Sequence, residues 1–276
     1  MKHFVLLILG IHLSACSSSS TGFNLFDDSV EVEHLMLANS FILPESQGKI
    51  LGANIKLGLA GTDSVKLVED IDNITLSSNP ELKHGATTMA NIELGIVSHL
   101  DFYYNNGAGI KLQIWGNAAD TAKAGNFSIA LTGQQIAVNN KVSTSDTTGS
   151  VKEAEAKIEG QGFHYALLLG YRNNNNTLIY GGPFYSETDV EKLSVYQTNN
   201  TDFSATTEIA TGQGRVKGIY LGIYNQTRKN WFATLSTGVG LEVAYTLAEW
   251  TNTTAIPNED MDNEGFHLGG VVSLGW

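Results

Sequence analysis

The sequence predicts an all-β fold, an antiparallel transmembrane β-barrel of about ten strands, with eight to twelve compatible with the pattern. Three observations lead there. Apolar residues alternate with small or polar ones at period two over stretches of up to about seventeen residues, as in strands with one greasy and one wet face. No segment after Ile11 reaches about eighteen consecutive apolar residues, so no transmembrane helix is available. Connections between candidate strands are alternately long and short, as in barrels with long loops at one end and tight turns at the other. Composition agrees: of 276 residues 29 are glycine, 4 are proline and 16% are charged, which suits neither a disordered chain nor a coiled coil.

In chain order, Met1-Lys2-His3 supplies a positive start and Phe4 to Ile11 an apolar run too short to span a bilayer of about 30 Å. Residues 1–15 therefore read as a signal peptide. The run closes on Leu13-Ser14-Ala15-Cys16, which resembles the lipobox of bacterial lipoproteins. That resemblance implies cleavage before Cys16 and lipid attachment to it, and Cys16 is the only cysteine of the chain. Ser17, in place of Asp after the cysteine, implies by the same resemblance delivery to the outer membrane of a two-membrane bacterium by lipoprotein-sorting machinery. By the same resemblance Ser17 to Gly22 reads as a flexible tether between lipid and fold. Residues 16–47 form a lipidated tether plus a segment, Phe23 to Gln47, that fits no strand of the series; a periplasmic segment, a plug and an extra strand pair all remain open for it.

The barrel is expected over residues 48–276, with strands at about 48–60, 88–97, 99–105, 108–116, 126–137, 160–172, 176–186, 213–225, 230–247 and 264–276. The clearest is the ninth, where Trp231, Ala233, Leu235, Val239, Leu241, Val243, Tyr245 and Leu247 alternate with Phe232, Thr234, Ser236, Gly238, Gly240, Glu242, Ala244 and Thr246. In the last strand Phe266, Leu268, Val272, Leu274 and Trp276 alternate with His267, Gly269, Val271, Ser273 and Gly275. Closing on an aromatic at the end of such a strand resembles the assembly signal of bacterial outer-membrane β-barrels, carried here by Phe266, Leu268, Leu274 and Trp276. The resemblance covers about residues 48–276 and implies outer-membrane lipid and barrel-assembly machinery as partners; it brings no catalytic motif. Counted back from a periplasmic C-terminus, external connections fall at 61–87, 106–107, 138–159, 187–212 and 248–263. The short turns fall near Ser98 and at 117–125, 173–176 and 225–230. An even strand count starts the barrel at the periplasmic end, where a lipid on Cys16 reaches the inner leaflet. Phe102, Tyr104, Tyr165, Tyr171, Tyr220, Tyr224, Trp231, Tyr245 and Trp276 are candidates for interfacial girdles.

Alternation points Asn54, Lys56, Asn91, Glu93, Lys111, Gln113, His164, Glu242 and His267 into the lumen. Both charge signs occur, and about ten strands enclose only a narrow interior, so either a salt-bridged plug or a thin wet passage is expected. Gly160-Gln161-Gly162 and Gly212-Gln213-Gly214 read as backbone relief at a barrel rim. Nucleotide-binding, hydrolase and metalloprotease motifs are absent, and the histidines His34, His84, His99, His164 and His267 show no ligand spacing, so neither metal nor cofactor is expected. A catalytic pairing of His267 with Glu242, Ser236 or Ser273 is weaker than a polar lining, and no enzyme is expected. With Lys+Arg at 16 against Asp+Glu at 28, nucleic acid is excluded as a partner. The acidic run Asn258 to Glu264 lacks the central glycine of a calcium loop and reads as solvated surface. Three functions stay open: a structural or surface-interaction lipoprotein using long acidic external loops, a narrow pore or transporter for small or hydrophobic molecules, and a soluble β-sandwich or lipocalin-like surface lipoprotein. No residue names a small-molecule ligand.

Overall fold

The computed structural model describes residues 32–70, 75–76, 82–145, 151–199, 204–231, 233–252 and 261–276. The signal segment, Cys16 and the Ser17–Gly22 tether lie outside these residues, as do 258–260 of the acidic run. Among the described residues there is no helix, and the strands are β1 (Val32–Leu37), β2 (Ala53–Asp70), β3 (Thr75–Leu76), β4 (Leu82–Val97), β5 (Leu100–Tyr104), β6 (Gly107–Trp115), β7 (Phe127–Ser145), β8 (Val151–Arg172), β9 (Thr177–Asn199), β10 (Ser204–Trp231), β11 (Ala233–Asn252) and β12 (Met261–Gly275). Ten of them, β2 and β4 to β12, pair antiparallel with their neighbours, and β12 returns to β2 to close the barrel.

Each wall strand carries the period-two pattern through. In β6 the burial alternates without a break from Gly107 to Ile114, with Lys111 and Gln113 inside and Ile110, Leu112 and Ile114 outside. The outer face is correspondingly greasy: Leu57, Leu59, Ile219, Leu221, Val239, Leu241, Leu268 and Val272 are each more than half exposed. Charged pairs bound this band towards one end, where Lys217 meets Glu249 at 3.0 Å and Arg215 faces Glu187 at 3.6 Å. Exposed Trp115, Phe127, Tyr171 and Trp276 mark the other end. Tyr220 and Tyr224 do not join a girdle: both are buried and point inward, because they share parity with Gly222 and not with Ile219 and Ile223.

The stretches expected as long loops are largely strand. β7 and β8 stay paired out to Ser145↔Glu153, β8 and β9 out to Val151↔Asn199, and β9 and β10 out to Ser204↔Thr198. At the opposite end β10 and β11 remain paired to Trp231↔Ala233, so 225–230 is strand and not turn. Apolar alternation ends where the outer face turns polar, while backbone pairing does not require it; periodicity therefore located the band and missed the extensions. The two glycine pairs lie where the register shifts, between Glu159 and Gly160 and between Ala210 and Gly212, as bulges at the level where the band ends. The wall is lopsided: β8, β9 and β10 have 22, 23 and 28 residues against 5 and 9 in β5 and β6.

The amino-terminal segment decides what the interior holds. β1 pairs with the far half of β2, from Leu37↔Thr62 to Val32↔Val68, so Val32 stands at the extended end, opposite Trp276. Residues 38–46 are all buried and run down the lumen to the turn at 48–52, from which β2 sets out along the wall. Of the three readings left open for residues 23–47, the described part is a short extra strand followed by a plug.

Candidate functional site

The plug meets the wall residue by residue. Glu242, on β11, accepts hydrogen bonds from the backbone amides of Ser40 at 3.1 Å and Phe41 at 3.3 Å, from Asn39 Nδ2 at 3.2 Å and from the Tyr180 hydroxyl at 3.0 Å. Four donors around one buried carboxylate replace the water it gives up. Phe41 takes a left-handed backbone, φ 52°, which a bulky residue adopts only where its surroundings hold it there. Its ring lies against Gly269 of β12, where a Cβ would stand 2.7 Å from the ring.

Below Phe41 lies a charged layer. Glu93 is shared by Lys56 and Lys111, the latter at 2.9 Å, and Lys111 also reaches Asp101 at 3.0 Å. All four side chains have zero exposure and their formal charges cancel, which is the condition for burying them. The layer also holds the plug: Lys56 donates to the Phe41 carbonyl, Lys111 to the Glu45 carbonyl at 3.0 Å, and Asp101 accepts from the Gln47 amide at 3.0 Å. Lower still, Arg172 binds Glu45 in a bidentate pair, with Nε to Oε1 at 3.0 Å, and Gln113 accepts from the Ser46 amide at 2.7 Å. Asn91 and Asn105 both donate to the Ser40 carbonyl, at 3.1 and 3.2 Å.

All nine residues that alternation aims inward are buried in the interior: Asn54, Lys56, Asn91, Glu93, Lys111, Gln113, His164, Glu242 and His267. Six of them, Lys56, Asn91, Glu93, Lys111, Gln113 and Glu242, hydrogen-bond one another or the plug. Asn54 reaches the Tyr224 hydroxyl at 3.4 Å, and His164 stacks on Phe184. His164 also borders a cavity of about 30 Å³, room for about one water, between the plug and Asn105, Gln134 and Ser186. His267 belongs to a separate group with Asp63 and His84, and the structure thus corrects the expectation that no histidines come to ligand spacing. Glu242 and His267 have different partners; Ser236 accepts from Gln226 and Ser273 pairs with Tyr224.

Arg172 shares parity with His164, and Asp101 opposes the outward Phe102, so alternation would have found both. Glu45 sits in a segment without periodicity. Asp63 and His84 lie in the stretch read as an external connection, and nothing local marks them. No protein-family model matches this chain, and no curated protein sequence matches it.

Proposed function

We propose that this chain is an outer-membrane β-barrel lipoprotein, closed by its own residues 38–47, that works through the sheet it projects beyond the membrane as a structural or surface-interaction protein and not as an enzyme. The observation that carries this reading is the outer face. From Phe266 in β12 to Trp276 just past its end the chain takes ten residue steps, about 34 Å along the strand and about 25 Å along the axis at a tilt of about 40°. That height matches the apolar band of outer-membrane barrels, about 25 Å. A water-soluble barrel or sandwich would set this whole surface against solvent.

The projecting part consists of strand extensions. β9 continues about twelve residues past the charged rim at Glu187, about 40 Å of strand, paired to β8 and β10 along the way. An ordered sheet of that size offers a partner a preformed surface, at less entropic cost than loops that must first be ordered. The pore alternative requires residues 38–47 to leave the lumen, because plug and charged layer fill it in this state.

Val32 stands at the extended end, so a lipid on Cys16, sixteen residues upstream, belongs to that end. With Trp276 periplasmic, this reading sets the anchor at the cell surface, since sixteen residues reach at most about 55 Å. This reading differs from the inner-leaflet expectation, which has the chain enter the barrel from the periplasm. The test is fractionation of Cys16→Ala behind a non-lipoprotein signal, run boiled and unboiled. Retention in the outer membrane with heat-shifted mobility is expected; release as a soluble protein overturns the membrane reading.

A further inference from the structure

We propose that Asp63, His84 and His267 form a binding site for a divalent transition-metal ion of the zinc type. The inference concerns the seam of the barrel and does not depend on the membrane reading. Three strands converge there. β12 pairs with β2 only from Asn54↔Gly275 to Leu59↔Gly270, and beyond Thr62 the edge of β2 is taken by β1. Asp63 of β2 therefore faces His267 of β12, while its ladder partner on β4 is His84.

The donor atoms are arranged as a ligand set. Asp63 Oδ1 lies 2.7 Å from His84 Nδ1 and 3.1 Å from His267 Nε2, and one ligand atom from each residue lies within 4.8 Å of the other two. Two imidazoles and a carboxylate hold zinc in sites with an open fourth position, at metal–ligand distances of about 2.0–2.2 Å. Such distances place neighbouring donors about 3.3 Å apart. The gap from Asp63 to His84 needs to open by about 0.6 Å and that to His267 by about 0.2 Å.

Two further features point to an ion. Gly265 leaves a space beside the donors: a Cβ there would stand 2.7 Å from His267 Nε2 and 2.8 Å from His84 Nδ1. Asp63 and His267 are buried, whereas His84 is 36% exposed and gives an entry path. The carboxylate is also held by an outer partner, since the Thr246 hydroxyl donates to Asp63 Oδ2 at 2.8 Å and lies 2.9 Å from His267 Nε2. Partners of this kind fix ligand orientation, and their loss weakens metal binding about 10–100-fold. An ion here would tie β2, β4 and β12 together where the first and last wall strands part.

The test uses the untagged, detergent-purified full chain, stripped with chelator and dialysed against zinc chloride. One zinc per chain is expected, with a raised unfolding temperature by unboiled gel mobility. His84→Ala, at the exposed edge, should abolish binding, and Thr246→Val should weaken it about 10–100-fold, while both keep the folded mobility of the parent. Cobalt in place of zinc should give the visible absorption of a tetrahedral site in the parent and not in His84→Ala. Folded parent protein that takes up no zinc, or equal uptake by parent and His84→Ala, overturns the proposal. If His84→Ala fails to fold, the zinc titration and cobalt spectrum of Thr246→Val against the parent decide by the same criteria.

Discussion

The bidentate pair between Glu45 and Arg172 gives the sharpest test that residues 38–47 are seated in the lumen. Their side chains are 1% and 4% exposed, so neither charge has water to fall back on. Glu45→Ala removes the only carboxylate seen on Arg172 among the described residues and also releases Asn126 Nδ2, which Glu45 Oε1 accepts at 2.9 Å. Leaving one member of a buried ion pair costs about 3–5 kcal/mol. At about 2–4 °C per kcal/mol for a domain of this size, the unfolding midpoint should fall by roughly 6–20 °C. The assay is unboiled gel mobility of the purified protein against incubation temperature. Removing both charges, as Glu45→Ala with Arg172→Met, should recover most of the loss, since replacing a whole buried pair by apolar groups is close to neutral. A Glu45→Ala midpoint within about 2 °C of the parent would falsify the seating of Glu45 on Arg172, because an exposed pair is worth under about 1 kcal/mol.

Two other outcomes follow from the same packing. Gly269→Leu puts a side chain where the Phe41 ring lies and should cost about 1–3 kcal/mol by overpacking, read from the same midpoint; Gly269→Leu combined with Phe41→Ala should regain part of it. Glu242→Ala strips the carboxylate from the amides of Ser40 and Phe41 and loosens the plug at its upper turn, so planar-bilayer recordings should show intermittent openings that the parent lacks. A silent Glu242→Ala barrel would mean that the charged layer around Glu93 seals the lumen without that turn.

The barrel was legible because its inside and outside differ in chemistry. Successive wall residues face the greasy outer surface and the interior in turn, so Lys111 between Ile110 and Leu112 declares its direction at once. The same signal fails wherever both faces have similar character. It stops at Gly160, where β8 gains no greasy side though its pairing continues, and it is silent for Asp63, buried on a strand covered on both faces. The choice of plug among the three readings of residues 23–47 was beyond reach for a different reason: residues 38–47 bond through backbone amides and carbonyls to distant side chains, and such contacts leave no local pattern. Charge balance hinted at them, since Lys56, Lys111 and Glu93 needed partners inside, but it could not name Glu45 or the carbonyl of Phe41.

The path of the chain also fixes an order of events. Val32 is at one end of the lumen and Ala53 at the other, so a closed barrel surrounds a stretch of its own polypeptide whose upstream end carries whatever was attached to it. A chain end that bears a bulky group is not drawn through a filled interior once the wall is closed. The simplest order therefore forms the six residue pairs joining β12 to β2 around a plug already in position. Closing the seam between β2 and β12 is thus also the step that shuts residues 38–46 inside the barrel.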